Sequence, residues 1–264
     1  MMKVLELDKV TLFRGGVAIL KDVSVSIPEG KTTVIIGPAG CGKSSLLKTI
    51  AGLLDPQKGT VKYNGMNYKD FNDKELLSFR KTTGFVFQDS ALWANRSVHE
   101  NLSLPIILHN PDLPEKEVAS RVNELIRQVG FWDNPNLRPA QISSGERKLI
   151  SFARGICNSP YILFLDFPTS GVDTINARKL EKIIEAYKAD GKTICMTTHE
   201  SKPLAQFADY LIALDKGEIV ASGQYPQILR EGNDRLKEII SDVIESDQAR
   251  AEGDDLLDLM NTGD

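Results

Sequence analysis

One eight-residue stretch constrains this chain more than any other. The stretch is Gly37-Pro38-Ala39-Gly40-Cys41-Gly42-Lys43-Ser44, which matches the G-x-x-x-x-G-K-[ST] pattern of a phosphate-binding loop. A β-branched run from Thr32 to Ile36 precedes it, and a helical pattern from Ser45 to Ala51 follows it. Strand, glycine loop and helix are the context that the motif requires. We therefore expect a phosphate site rather than a glycine-rich turn that binds nothing.

The chemistry of the loop follows from its residue types. Glycines let successive backbone N–H groups turn inward around a phosphate, and the helix N-terminus adds the positive end of its dipole. Lys43 can reach the β- and γ-phosphates of a nucleotide, and the Ser44 hydroxyl can ligate Mg²⁺. The predicted nucleotide contacts are the eight loop residues and Ser45, which follows them.

Length and composition indicate a globular chain without a membrane span. With 264 residues, the chain can bury one sizeable α/β core and a subdomain. No apolar run approaches the ~18 to 20 residues that cross a bilayer, and the N-terminus lacks a signal-peptide core. The cysteines Cys41, Cys157 and Cys195 form no C-x-x-C pair. They indicate a reducing compartment, so we expect the chain in the cytosol.

The charge is distributed unevenly along the chain. The net charge is −4, yet residues 231–264 hold 11 acidic and 3 basic residues, which leaves the preceding part mildly basic. Its basic residues are scattered, and no basic stripe is interleaved with aromatic residues. We therefore expect no nucleic-acid partner.

The order of hydrophobic patterns predicts an α/β fold. Alternating patterns at Val4–Leu7 and Val23–Ile27 indicate strands near the N-terminus. From residue 89 to about residue 157 the pattern is mostly helical. The short apolar runs Tyr161–Leu165 and Thr193–Thr197 are typical of buried parallel strands.

Three polar residues stand where predicted strands end. Gln88 follows Gly84–Phe87, Asp166 follows Leu165, and His199 lies just beyond Thr197. In open α/β sheets, ligands bind at the carboxyl ends of the strands. A strand-end polar residue or an ordinary histidine is the alternative for each residue taken alone.

Further motifs resemble those of one family. Ile142-Ser143-Ser144-Gly145-Glu146 resembles its L-S-G-G-Q signature, Tyr161–Asp166 its Walker B strand, and Pro168–Asp173 the segment leading into its D-loop. With Gln88 and His199, the chain resembles the ATP-binding subunit of an ABC transporter over about residues 1–225.

The resemblance implies a fold and a domain organisation. The implied fold is an α/β P-loop NTPase with a RecA-like core, an N-terminal antiparallel β subdomain and an inserted α-helical subdomain over about residues 89–157. Residues 1–230 would form the ATPase domain, and residues 231–264 an acidic helical extension.

The resemblance also implies ligands and roles. ATP and Mg²⁺ would bind at the phosphate loop, with Ser44, Gln88 and Asp166 as metal-site residues. His199, Gln88 and Asp173 would serve catalysis. Adenine would be covered by Arg14, which stands at the family's usual tyrosine position, or by the adjacent Phe13. A packing role for Phe13 is the alternative.

Two such subunits would sandwich two ATP molecules head to tail. Ser143 and Gly145 of one chain would offer a hydroxyl, backbone N–H groups and a helix N-terminus to the γ-phosphate held by the other chain. Each phosphate loop would therefore provide half of a site.

One position departs from the family. The residue after Asp166 is normally the glutamate that polarises water, and here it is Phe167. General-base help is worth ~10² to 10⁴ in rate, so a site built from this chain alone should hydrolyse ATP slowly. The chain could pair with a different ATPase subunit that carries a competent glutamate, or it could form a homodimer in which His199 with Asp173 or Glu200 supplies catalysis. It could also act as an ATP-gated clamp.

The segment after Gln88 narrows the resemblance. Phe87–Trp93, Glu100-Asn101-Leu102 and Leu104-Pro105 resemble the Mla-type ATPases of phospholipid trafficking. That group implies membrane permease subunits and a lipid-binding substrate protein as partners, with this subunit on the inner face of the cytoplasmic membrane. A regulatory module that dimerises on ATP with little hydrolysis is the alternative function.

The C-terminal part carries an apolar stripe within acidic sequence. Leu236, Ile239, Ile240 and Val243 recur at helical spacing between Asn233 and Ile244. The stripe predicts a helix that packs either on a neighbouring subunit or back on its own core.

Overall fold

The computed structural model describes residues 3–245, which build two β-sheets and nine α-helices. The strands are β1 (Lys3–Arg14), β2 (Val17–Pro28), β3 (Thr32–Ile36), β4 (Lys58–Tyr63), β5 (Met66–Asn67), β6 (Thr83–Val86), β7 (Ile162–Asp166), β8 (Thr193–Thr197), β9 (Tyr210–Asp215) and β10 (Glu218–Gln224). One antiparallel sheet has the order β2-β1-β4-β5. The other has the order β10-β9-β3-β8-β7-β6 and is parallel except for β10.

The central strands are short, apolar and covered on both faces. Every residue of β3, β7 and β8 is buried. Along β7, Ile162 and Phe164 join one hydrophobic cluster, whereas Leu163 and Leu165 join the other. This alternation places β7 between the two halves of the core.

The helices connect and cover the strands. They are α1 (Lys43–Ile50), α2 (Asp73–Thr82), α3 (Val98–His109), α4 (Glu115–Val129), α5 (Ser144–Ile156), α6 (Thr174–Ala189), α7 (Ser201–Phe207), α8 (Gln227–Glu231) and α9 (234–245). Helices α3, α4 and α5 pack together as the helical part predicted between β6 and β7. Across residues 3–245, no helix combines the length and the apolar character needed to cross a membrane.

The predicted fold class is confirmed, and several element boundaries differ from the prediction. Strands β1 and β2 are far longer than the alternating segments indicated, because register shifts along their pairing interrupt the alternation. Helix α6 begins at Thr174, since the Asp173 side chain caps it by accepting from the Asn176 N–H at 3.0 Å.

Of the two alternatives for the C-terminal stripe, the described residues show the helix packed on its own core. Asn233 caps α9 by accepting from the Leu236 N–H at 2.9 Å. Leu236 and Ile239 belong to a core cluster, and Val243 is buried too. Residues 246–264, which complete the acidic extension, lie outside the described part of the chain.

Two leucine truncations test the placement of β7. Leu163→Ala should lower the free energy of unfolding by about 2–5 kcal/mol, because it opens a cavity in a central strand. Leu108→Ala removes the same atoms from a side chain that is 69% exposed. It should change the free energy of unfolding by less than about 0.5 kcal/mol. Urea unfolding measures both. Equal losses in the two variants would contradict the buried position of Leu163.

Candidate functional site

The phosphate loop connects β3 to α1 at the carboxyl edge of the parallel sheet. Gly42 stands directly before α1 with φ 109°, a conformation that L side chains rarely adopt. A Cβ on Gly37 would collide with the backbone oxygen of Leu214 in β9 and would lie 2.8 Å from the Cys41 Sγ. The glycines therefore let the loop lie directly against β9 while its backbone turns toward the cavity.

The Lys43 side chain folds back into the loop. Its Nζ donates to the carbonyl oxygens of Gly37 at 2.7 Å and Pro38 at 2.9 Å. Burial lowers the pKa of Lys43, and the neighbouring Cys41 and Asp166 offset part of that effect. A cation is thus held inside the loop, where it can turn from the carbonyls to a bound phosphate.

Asp166 lies at the end of β7 and is fully buried beside the loop. Its Oδ1 accepts from the hydroxyls of Ser44 and Thr197, both at 2.8 Å. Its Oδ2 accepts no hydrogen bond from any described residue, and the Lys48 Nζ lies 3.8 Å from it. A carboxylate oxygen with spare capacity beside a serine hydroxyl fits the oxygen ligands that Mg²⁺ prefers.

A cavity of about 760 Å³ opens above the loop. Its lining residues come from the phosphate loop and from six other segments: Arg14, Ile19, Gly37, Pro38, Ala39, Gly40, Gly42, Lys43, Ser44, Ser45, Gln88, Phe167, His199, Ile239, Asp242 and Val243. Of the predicted loop contacts, Cys41 does not line it, since its side chain is buried against Gly37. Asp166 lies behind Ser44, outside the lining.

Phe167 occupies a strained position in this cavity. Its φ is 47°, in the left-handed region that costs a bulky residue on the order of 1–3 kcal/mol. The Phe167 N–H donates to the Thr197 Oγ1 at 2.9 Å. The ring centroid lies 5.1 Å from that of His199 and 5.6 Å from the Lys43 Nζ. An apolar ring therefore stands between these two side chains, where it can neither accept a proton nor hold a water molecule.

The predicted signature residues lie together, away from the cavity lining. Ser143 caps α5, and its hydroxyl accepts from the Glu146 N–H at 3.1 Å. A Cβ on Gly145 would lie 3.2 Å from the Asp173 Oδ2, so the starts of α5 and α6 are adjacent. None of Ser143, Gly145 and Asp173 lines the phosphate-loop cavity. Within the part of the chain that the structure describes, the two motif groups form separate surfaces.

Comparison with known proteins identifies the family. The family model described as ABC transporter matches residues 20–170. An uncharacterised ABC transporter ATP-binding protein of Methanocaldococcus jannaschii is 37% identical over 76% of this chain and 89% of its own length. This chain belongs to the ABC transporter family. It is an ATP-binding subunit with the ATPase cassette of that family.

Two further matches describe the range of relatives. The methionine import ATP-binding protein MetN 1 of Acinetobacter baylyi is 34% identical over 78% of this chain, which covers 57% of that protein. The solved dimer of the ATP-binding cassette MJ0796 in a post-hydrolysis state, bound to ADP and Pi, has a TM-score of 0.77 at 30% identity. That match covers 83% of this chain and 98% of the solved one.

The structure separates the two residues expected to cover the base of the ATP. Arg14, at the end of β1, lines the ABC cassette's cavity. Phe13 does not line it; its side chain is 40% exposed and its N–H donates to the Gln57 Oε1 at 2.7 Å. Successive side chains of a strand point to opposite faces, so Phe13 and Arg14 cannot share one surface. Of the two, Arg14 is the residue that lines the cavity, and the adenine contact itself stays a prediction.

Lys148 is a residue that the sequence reasoning missed. It is buried in α5, and its Nζ donates to the carbonyl oxygens of Phe87 at 3.0 Å and Gln88 at 3.1 Å. Arg154, one and a half turns further along, donates to the Ser90 oxygen at 3.2 Å. The signature helix of this ABC subunit thus holds the segment that carries Gln88. A lysine on the apolar face of α5 was the available signal.

Burial lowers the pKa of Lys148 from 10.5 to about 8, although Asp166 and Asp89 oppose the shift. Between those values the unfolded chain keeps a proton that the folded chain has released, so this group makes stability rise with pH. Lys148→Met lacks the titration. Its deficit in unfolding free energy relative to wild type should grow by about 2 kcal/mol between about pH 7.5 and pH 10.

Urea unfolding at several pH values measures that deficit. The other titrating groups are common to wild type and Lys148→Met, so they cancel in the difference. A deficit that stays constant across the range would contradict the lowered pKa.

Proposed function

We propose that this chain binds Mg-ATP in the phosphate-loop cavity and pairs with a second ATPase subunit to drive a membrane transporter. The observation that carries the proposal is the separation of the two motif groups. The cavity has the phosphate loop, while Ser143 and Gly145 lie outside it. A head-to-tail pair would bring the α5 N-terminus of one chain to the phosphates held by the other.

The metal-site roles fit the geometry. Ser44 and Asp166 would hold Mg²⁺, which neutralises phosphate charge when it is bound. Gln88 lines the same cavity, where it would sense the bound metal. Lys148 fixes the backbone of Gln88 to α5, so a shift of either would move the other.

Phe167 makes slow hydrolysis the expected property of this subunit. The two acids that could replace a glutamate are engaged elsewhere: Asp173 accepts from Asn176 at 2.7 Å, and Glu200 accepts from the Thr169 hydroxyl at 3.4 Å. Neither lines the cavity. Glu200 therefore lies outside its own site, whereas Asp173, next to Gly145, would approach the other chain's phosphates in a head-to-tail pair. We therefore favour a partner ATPase that carries the glutamate, or a clamp that releases slowly, over catalysis by Glu200. His199 would contact the γ-phosphate.

Two substitutions at one position test the missing base. Phe167→Glu should raise steady-state ATPase activity by about 10² to 10⁴-fold, because it restores a carboxylate beside His199. Phe167→Gln relieves the same ring but supplies no base, so it should leave the activity within about threefold of wild type. Phosphate release measures both, with this chain as the only ATPase beside its membrane partners. Wild-type turnover that already equals that of Phe167→Glu would contradict the proposal.

An apolar surface on the helical part favours docking to a membrane permease. Leu104, Ile107 and Leu108 of α3 are exposed although they are large and apolar, and Trp93 is exposed beside them. The Trp93 N–H donates to the Asn101 Oδ1 at 2.9 Å, which ties it to α3. Exposed apolar patches of this kind mark interaction sites. The surface adjoins the Gln88 segment, so ATP binding and docking would be mechanically linked.

A variant of this surface separates transport from regulation. Leu108→Asp should reduce recovery of co-purifying membrane proteins by at least about tenfold, because a charge would be buried at the contact. Asp112→Ala, an exposed change beyond the end of α3, should leave recovery unchanged. Quantitative mass spectrometry after affinity purification measures both. Unchanged recovery with Leu108→Asp would favour the regulatory ATP-dependent module.

We propose phospholipid trafficking as the process that the transporter serves, with a lipid-binding substrate protein as a further partner. Support comes from two segments that resemble those of the Mla-type ATPases. They are Phe87–Trp93, which contains Gln88, and Leu104-Pro105, which lies in α3. The methionine importer among the relatives is the competing model. The co-purifying membrane proteins decide between them, because they and not this ATPase contact the cargo. Docking would hold the chain at the cytoplasmic face, where ATP is available.

A further inference from the structure

The C-terminal helix α9 forms part of the cavity wall. Ile239, Asp242 and Val243 line the same cavity as the phosphate loop. Ile239 and Val243 lie one turn apart on the helix face that packs on the core, and Asp242 lies beside them. Three side chains from one helix therefore reach a site that the loop motif alone does not define.

Helix α9 is anchored close to the loop. Arg235 donates to the Asp215 Oδ2 from Nε at 3.0 Å and from Nη2 at 2.8 Å. Asp215 ends β9, and the turn that follows contacts the loop, since the Gly217 N–H donates to the Cys41 oxygen at 3.0 Å. The Lys21 N–H in β2 donates to the Gly217 oxygen at 2.9 Å. The start of α9 is thereby fixed to the β9–β10 turn, which contacts both the loop and β2.

The chemistry of the three side chains selects the nucleoside end of a nucleotide. Apolar Ile239 and Val243 cannot hydrogen-bond a phosphate, whereas they can pack against a base or a ribose carbon. A carboxylate such as Asp242 repels phosphate, but it accepts from hydroxyl or amino donors. Arg14 and Ile19, from the β1–β2 hairpin, complete the part of the lining that lies outside the loop and the strand ends.

We propose that α9 is a wall of the nucleoside pocket: the apolar edge that the buried Ile239 and Val243 present to the cavity borders the base or ribose of ATP, and the exposed Asp242 accepts a hydrogen bond from it. This rests on the proposed binding of ATP in the cavity. ATP and docked α9 then stabilise each other by the same free energy, since linkage is reciprocal.

Paired substitutions in the full chain test the wall. Val243→Ala and Asp242→Asn should each weaken Mg-ATP binding roughly three- to tenfold. The matched controls are Ile244→Ala and Asp234→Asn, which change exposed neighbours on the same helix and should bind as wild type. Isothermal titration gives the affinities, and melting temperatures confirm that the variants are folded. Mg-ATP should also slow amide hydrogen exchange in residues 234–245.

The sign of the Asp242→Asn effect is decisive. If the carboxylate faced the phosphates, its neutralisation would strengthen ATP binding, and that result would overturn the proposal. Wild-type affinity in both Val243→Ala and Asp242→Asn, or unchanged exchange in α9 with ATP, would overturn it as well. A wild-type chain that fails to bind Mg-ATP would overturn the proposed function itself, and the wall with it.

Discussion

The buried carboxylate of Asp166 joins the parts of the molecule that the site depends on. Its Oδ1 accepts from Ser44 at the start of α1 and from Thr197 at the end of β8, while the carboxylate ends β7. An ionised carboxylate without such partners would cost several kcal/mol to bury. The two hydroxyls and the Lys48 ammonium at 3.8 Å offset that cost. These contacts therefore fix the phosphate loop, β7 and β8 relative to one another before any ligand binds.

Around this point, the carboxyl edge of the sheet forms the phosphate-loop cavity of the ABC cassette. The loop lies against β9, and the Lys43 ammonium donates to a carbonyl oxygen of the loop itself. Phe167 follows Asp166 directly at the same strand end, and its ring centroid lies 5.1 Å from that of His199. Asp166, which is predicted to help hold Mg-ATP, is thus followed directly by Phe167, which cannot act as a base.

The sequence predicted the elements whose signals are local. Apolar runs marked β7 and β8, the glycine pattern marked the loop, and helical spacing marked α9. It did not predict contacts made between distant segments. Lys148 bonds to residues about 60 positions away, and α9 meets a loop about 200 positions before it. A pattern among neighbouring residues carries no information about contacts between segments so far apart in the sequence. Which of Phe13 and Arg14 lines the cavity likewise depends on the direction of successive side chains in β1, and register shifts in β1 hide that direction from the sequence pattern.

The central claim is that this ABC subunit holds Mg-ATP firmly and cleaves it poorly on its own. The most direct measurement is the identity of the nucleotide bound to the purified chain. The chain is incubated with excess Mg-ATP, freed of unbound nucleotide and denatured, and the released nucleotide is separated by ion-exchange chromatography. We expect close to one nucleotide per chain, recovered mostly as ATP. Recovery mainly as ADP, or of almost no nucleotide, would contradict it.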